Sequence, residues 1–179
     1  MCRAGRAAGH VFVAAAQQTG AHPALRRRGG PAGGRRDAPV RQPALPAGWQ
    51  ANSGHRGGIQ NGRTDPSTGQ RLNAPTSVVG YISPTGMYLS LTQSNADEDK
   101  LINSIHPSAY PTGTVDVAGT SWVIYQGSGQ SGADAEPVWT TRLTGAGGAT
   151  QIAITGAGSA EQFRTLASAT QSQPPLPVR

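Results

Sequence analysis

The candidates for acid–base chemistry are His106, the one histidine in the predicted core, and Asp134 and Glu136, the nearest approach to a pair of carboxylates. An imidazole and a carboxylate can move protons for hydrolysis when they share a pocket and burial separates their pKa values. His106, however, precedes Pro107 at the end of a predicted helix, where an imidazole stabilises the negative end of the helix dipole. Asp134 and Glu136 lie in a predicted polar loop. The sequence therefore assigns no catalytic residue and predicts that the protein is not an enzyme. The alternative is a hydrolase or small-ligand enzyme that uses His106 with the loop carboxylates.

Two further motifs resemble cofactor and metal sites but fail their requirements. Residues 127–132 match G-x-G-x-x-G, a pattern that binds dinucleotides when its glycines open a helix. Here Pro137 and a predicted strand follow instead. Residues 95–99 carry polar and acidic side chains at alternate positions, as a calcium loop does at its start. Lys100 and His106 then occupy the positions where that loop requires a glycine and a bidentate glutamate. We therefore expect no cofactor and no metal site.

Charge divides the chain into two parts. Residues 1–75 carry eleven arginines and two aspartates, whereas residues 76–170 carry three basic and seven acidic side chains. The net charge of +6 therefore comes from the N-terminal part. Arginine clusters at 26–28 and 35–36 could contact nucleic-acid phosphates, but no aromatic residue lies among them to stack on bases. Nucleic-acid contact through the basic N-terminal arm, residues 1–40, is the least favoured function, and we expect no nucleic-acid partner.

Composition predicts one domain with two flanks. Residues 1–40 are rich in Ala, Arg, Gly and Pro, which predicts either a disordered arm or a stretch translated from the wrong frame of GC-rich DNA. Residues 41–170 form the predicted α+β domain, within which the polar, glycine-rich segment 54–75 is predicted to be a mobile loop. Residues 171–179 are predicted to be a disordered, proline-rich tail. Cys2 is the single cysteine, which excludes an internal disulfide.

Hydrophobic periodicity predicts two helices and a set of strands. Acids at 97–99 favour the first turn of one helix, which ends at His106. Ser159 and Gln162 form a predicted capping box at the start of the second helix. Hairpins dominate, so the fold class is α+β, a mostly antiparallel sheet of five to seven strands with two helices on one face. The strands are expected at 78–82, 87–93, 113–117, 120–126, 138–144 and 150–155, with one more near residue 50.

Three tyrosines on these strands form the predicted contact surface. Tyr81, Tyr88 and Tyr125 each combine an apolar ring with a polar hydroxyl, a composition common where proteins contact partners. The exposed face of the sheet that carries them is therefore the candidate surface. The alternative for each ring is a place at the edge of the core.

Four stretches resemble the actinobacterial domain of unknown function 4245 family. They are LPAGWQANS at 45–53, VVGYISPTGMYLSLTQS at 78–94, TGTVDVAGTSWVIY at 112–125 and ITGAGSAEQFRTLA at 154–167. The resemblance covers roughly residues 39–170. It implies a small α+β module held on the outer side of the cytoplasmic membrane by an N-terminal transmembrane helix, and it brings no assigned catalytic residues.

The N-terminal part departs from that family pattern. No segment reaches the roughly 18–20 apolar residues that span a bilayer, and the Ala/Arg/Gly/Pro stretch stands where the resemblance implies the anchor. A misassigned or frameshifted start is the favoured explanation. If residues 1–40 are the true N-terminus, the protein is expected to be soluble. The predicted function is a non-enzymatic cell-envelope module with an unidentified partner, either an envelope protein or a small ligand.

Overall fold

The computed structural model describes residues 38–127 and 136–177. The elements follow the order βββαββββα, and their strands form a seven-stranded antiparallel sheet with the order β1-β2-β3-β7-β6-β5-β4. The α+β class and the mostly antiparallel sheet of the sequence prediction are confirmed. The elements are β1 (Gln50–Thr64), β2 (Arg71–Ile82), β3 (Tyr88–Ser94), α1 (Glu98–Ile105), β4 (Tyr110–Val117), β5 (Thr120–Gln126), β6 (Val138–Gly145), β7 (Gly148–Gly156) and α2 (Ala160–Gln171).

The two helices lie on opposite faces of the sheet, so the prediction that both share one face is wrong. Ile152 and Ile154 of β7 belong to the hydrophobic cluster that contains α2 residues. Ala153, which points to the other side, belongs to the cluster with Leu101 and Ile102 of α1. Successive side chains of a strand alternate between faces, so β7 has one helix on each side. We call these the α2 face and the α1 face.

The topology explains why one helix had to cross the sheet. β3 lies next to β7 near the middle of the sheet, whereas β4 lies at the far edge. Four antiparallel pairings separate β3 from β4, so β3 and β4 run parallel to each other. A parallel pair needs a crossover that passes over one face, and α1 is that crossover. α2 follows β7 and covers the opposite face.

The main core lies on the α2 face. Trp122 and Phe163 are fully or almost fully buried there, and the rings of Phe163 and Trp139 pack with their centroids 5.2 Å apart. The predicted capping box starts α2: Gln162 N donates to Ser159 Oγ over 3.3 Å, and Ser159 N donates to Gln162 Oε1 over 2.9 Å. Local hydrogen bonds therefore determine where α2 begins, and packing of its apolar side chains determines which side of α2 contacts the sheet.

An N-terminal strap, residues 38–49, also packs on the α2 face. The Arg41 amide donates to Gln93 Oε1, and Gln93 Nε2 donates back to the Arg41 carbonyl oxygen, both over 2.8 Å. Residues after α2 join the strap, because Leu176 N donates to the Val40 carbonyl oxygen over 2.7 Å. Residues 172–177 are thus held by hydrogen bonds, which corrects the prediction of a disordered tail for this part of it.

The segment 54–75 is mostly strand, which corrects the prediction of a mobile loop. Residues 54–64 belong to β1 and residues 71–75 to β2, and the two strands pair in antiparallel register. The sequence looked like a loop because an exposed, glycine-rich edge strand lacks alternating apolar residues. Pairing with β2 holds it extended. Residues 1–37 of the predicted arm lie outside the described residues.

Candidate functional site

Tyr88 is the most exposed of the three predicted contact residues and lies on the α1 face. Its side chain is 42% exposed, and the preceding Met87 is 37% exposed. The Tyr88 ring lies over Gly80 of β2, since a Cβ built there would come within 2.6 Å of the ring carbon Cε2. Gly80 therefore provides the space in which an aromatic ring can lie across the sheet towards Ser53 of β1.

A row of small side chains extends from Tyr88 across the same face. Gly80 pairs with Ser90, Ser90 with Thr155, and Thr155 with Val138. Ser90 and Thr155 are half-buried, and the Thr155 hydroxyl oxygen is buried without a hydrogen-bond partner among the described residues. The part of the α1 face beside Tyr88 thus carries small, half-buried polar groups next to an exposed aromatic ring.

Tyr125 lies on the α1 face too, but its hydroxyl is already engaged. The hydroxyl donates to Glu98 Oε1 of α1 over 2.8 Å, and Gln151 Nε2 lies 3.5 Å from Glu98 Oε2. Gln151 Nε2 also donates to Thr140 Oγ1 over 2.8 Å. Burial, with the hydrogen bond to Glu98 and the nearby carboxylates, raises the pKa of Tyr125 to about 12. This network fastens α1 to the sheet.

Tyr81 is a core residue, so its assignment to the contact surface is wrong. Its side chain is 7% exposed and packs in the cluster of the α2 face, where burial raises its pKa. Tyr81 pairs with Leu89, while Tyr88 points to the other side of the sheet. Strand alternation therefore separates Tyr81 from the two tyrosines of the α1 face.

The groups considered for acid–base chemistry are not brought together by the described residues. The His106 amide donates to the Ile102 carbonyl oxygen over 2.8 Å and ends α1, and its Nε2 is buried with no partner in the described part. Glu136 makes no hydrogen bond or ion pair with it there. Asp134 lies outside the described residues. In residues 38–127 and 136–177, no three His, Cys, Asp or Glu side chains form a group that could hold a metal.

Two shallow hollows lie on the described surface. One, of about 350 Å³, is lined by residues of β1 and β2, among them Gly54, Arg56 and Val79. The other, of about 580 Å³, lies between the strap, the end of β4 and α2, and includes Asp116 and Arg164. Arg164 is committed to the protein, because its Nη1 donates to the Asp116 carbonyl oxygen over 3.1 Å and its guanidinium lies 6.0 Å from the Trp139 ring centroid.

Comparison with known proteins settles the family. The family model described as "Protein of unknown function (DUF4245)" matches residues 30–170. The chain belongs to the DUF4245 family. No curated protein and no solved structure matches it.

Two of the stretches that carried the DUF4245 resemblance contain glycines at strained backbone positions. Residues 78–94 form the β2–β3 hairpin, whose turn includes Gly86 at φ 82°. Residues 154–167 contain the end of β7 and the start of α2, with Gly156 at φ 142° between them. A Cβ at Gly156 would collide with the carbonyl oxygen of Tyr88. These glycines therefore occupy backbone positions that other residues adopt only with strain.

Sequence reasoning missed two features of this DUF4245 domain. Glu98 was assigned only to a helix start, yet its carboxylate binds Tyr125, 27 positions away along the chain. Arg56 was placed in a loop, yet it lies on an edge strand. No local signal pairs Glu98 with Tyr125, because their contact depends on where α1 crosses the sheet.

Proposed function

We propose that this DUF4245 domain is a non-enzymatic interaction module that contacts a partner through the α1 face around Tyr88. The observation that carries this proposal is the exposure of Tyr88, 42%, beside a row of small side chains on the same face. Aromatic rings with a polar tip are enriched at protein interfaces.

The use of the polar groups supports a role in binding rather than catalysis. Glu98 and Gln151 hold α1 on the sheet through Tyr125 and Thr140. Asp65 accepts hydrogen bonds from the Ser67 amide and hydroxyl within its own turn, which lower its pKa. The polar atoms of these side chains make hydrogen bonds that stabilise the fold, so they are not free to act on a substrate.

Site-specific photo-crosslinking in cells tests the interaction surface. A photo-reactive phenylalanine analogue replaces Tyr88 in the full chain, and a matched variant carries it at Tyr110, which is 54% exposed near the β4 edge. We expect a discrete crosslinked species with the probe at Tyr88 and little or none at Tyr110. Equal yields at the two positions, or none at either, would contradict the proposal.

We also propose that the module works at the extracytoplasmic side of the cell membrane, as the family resemblance implies. No helix in the described part of the chain combines the length and apolarity needed to cross a membrane. Membrane fractionation with mass spectrometry of the N-terminal peptide tests this: we expect the membrane fraction and an apolar N-terminal peptide. A peptide starting at Met1 in the soluble fraction would refute the anchor.

A further inference from the structure

β1 is an open edge of the sheet over residues 53–58, whereas farther along the carbonyl oxygen of Gly62 accepts a hydrogen bond from the Asp97 amide. It is 15 residues long and pairs only with β2 among the described strands. Its residues 53–59 keep an unbroken register with β2, opposite residues 80–74. Residues 53–58 are all exposed. An edge strand presents a row of outward backbone N–H and C=O groups, which can pair with another extended segment.

The two edges of the sheet differ in how they are protected. β4, at the other edge, has eight residues, carries Pro111 and has a register shift between Pro111 and Gly113. Proline and bulges are common devices that prevent edge-to-edge pairing. β1 has register shifts as well, between Ala51 and Ser53 and between Ile59 and Arg63. The run 53–59 between them is continuous, has no proline or lysine, and contains glycines at 54, 57 and 58. β1 is therefore the edge on which a strand can be added.

Charge on the β1–β2 hairpin indicates what the added strand carries. β1 contains Arg56 and Arg63 and no acid, and the charged residue of β2 is Arg71. Asp65, in the turn between the strands, is bound to Ser67. The hollow of about 350 Å³ lies over the β1–β2 pair, and Arg56 lines its β1 side. If an added strand carried acidic side chains on the face of the sheet to which Arg56 points, they would lie next to the Arg56 guanidinium.

A second copy of the chain is a poor occupant of this edge. Antiparallel pairing of residues 53–59 with themselves would centre on Arg56 and place it opposite its own copy. Like charges directly opposite each other in a sheet are destabilising. The same register adds no acidic side chain, since this run contains none.

We propose that β1 binds an extended acidic segment of a partner protein as an eighth strand, with alternate acidic side chains beside Arg56. Backbone hydrogen bonds to residues 53–58 hold the segment, and the charge on the hairpin selects its side chains. This rests on the proposed role as an interaction module and adds the binding mode and the chemistry of the partner.

The test uses the full chain and a seven-residue peptide in which aspartate and valine alternate. The control peptide has lysine in place of aspartate. At a peptide concentration ten times the Kd, we expect alternate backbone amides between residues 53 and 58 to exchange hydrogen about tenfold more slowly by NMR. The lysine peptide should give no such protection.

Two sets of variants make the test specific. Arg56→Glu should reduce binding of the aspartate peptide about tenfold, whereas the matched change Arg142→Glu, at an exposed arginine of β6, should leave it unchanged. In the peptide, N-methylation of one alternate set of amides should abolish binding, while methylation of the other set should be tolerated. That pattern is specific to strand pairing, because only one set of amides faces β1.

Several outcomes would overturn strand addition. The first is that the peptide still binds with either set of amides methylated. The second is that the peptide changes the NMR signals of the arginine-rich residues 1–40 alone. The third is that self-association slows hydrogen exchange of the β1 amides without any peptide. If they occur while the Tyr88 probe still crosslinks a partner, the interaction module stands and only the strand-addition mode fails. If the Tyr88 probe is silent but β1 binds the peptide as described, the contact site moves from Tyr88 to the edge.

Discussion

Replacing Trp122 with alanine should remove the anchor of the main core. The side chain is 0% exposed, and its Nε1 donates to Gln171 Oε1 over 3.0 Å. A tryptophan that buries about 200 Å² contributes up to about 5 kcal/mol at about 25 cal/mol per Å². Measured truncations of buried aromatic rings cost about 3–5 kcal/mol. We therefore expect Trp122→Ala to lower the free energy of unfolding by about 3–5 kcal/mol.

The hydrogen bond of Trp122 can be separated from its packing. Gln171 Nε2 also donates to the Val117 carbonyl oxygen over 2.6 Å, so Gln171 links α2, β4 and β5. Trp122→Phe keeps most of the ring contacts but removes the N–H donor, and it should cost about 1–2 kcal/mol. In a Gln171→Leu background, Trp122→Phe should cost less, because the acceptor is already absent.

Urea unfolding of the full chain, followed by circular dichroism, measures these effects. With an m-value of about 2 kcal/mol per M, Trp122→Ala should lower the midpoint by about 2 M. The control is Tyr110→Ala, where the side chain is 54% exposed and the change should stay within about 0.5 kcal/mol. A loss below about 1 kcal/mol for Trp122→Ala would refute the core assignment and the strand phasing that places this ring inside.

Three further changes test other parts of the fold. Gly156→Ala, at φ 142°, should cost about 3 kcal/mol or more, because the new Cβ collides with backbone at the start of β3. Gly86→Ala meets no atom within 4 Å and should cost about 1 kcal/mol. Gln93→Leu should cost about 1–3 kcal/mol, because it leaves the amide and carbonyl of Arg41 without their partner. For Tyr125, burial and its bonded carboxylate raise the pKa from 10.0 to about 12, so the unfolded chain releases this proton first and stability should fall between about pH 10 and 12. Tyr125→Phe should lose less stability over that interval.

Each of these has a clear contradicting result in the same unfolding assay. Equal costs for Gly156→Ala and Gly86→Ala would mean that the close approach of β7 to β3 is not as described. A neutral Gln93→Leu would show that the strap does not dock on β3. An identical alkaline loss in Tyr125→Phe and the parent chain would show that this hydroxyl does not titrate differently on folding.

Local signals identified most of the elements. The capping box of Ser159 and Gln162 predicted the start of α2, because its hydrogen bonds span only three residues. Six strands were predicted from alternation and turn residues, and a seventh was expected near residue 50. The glycine-rich edge strand was mistaken for a loop, because its extended conformation comes from pairing with β2 and not from its own side chains.

The sequence by itself determined the domain, its antiparallel hairpins, the charge division and the family, since each depends on composition or on neighbours a few residues apart. Only the tertiary structure decided that the helices lie on opposite faces, that Tyr81 is buried while Tyr88 is exposed, and that Glu98 binds Tyr125. Alternation separates the two faces of a strand but does not say which face a helix will cover. That choice depends on the crossover of α1 from the middle of the sheet to its far edge. A contact between distant residues, such as that of Glu98 with Tyr125, is stabilised only when the whole sheet has formed.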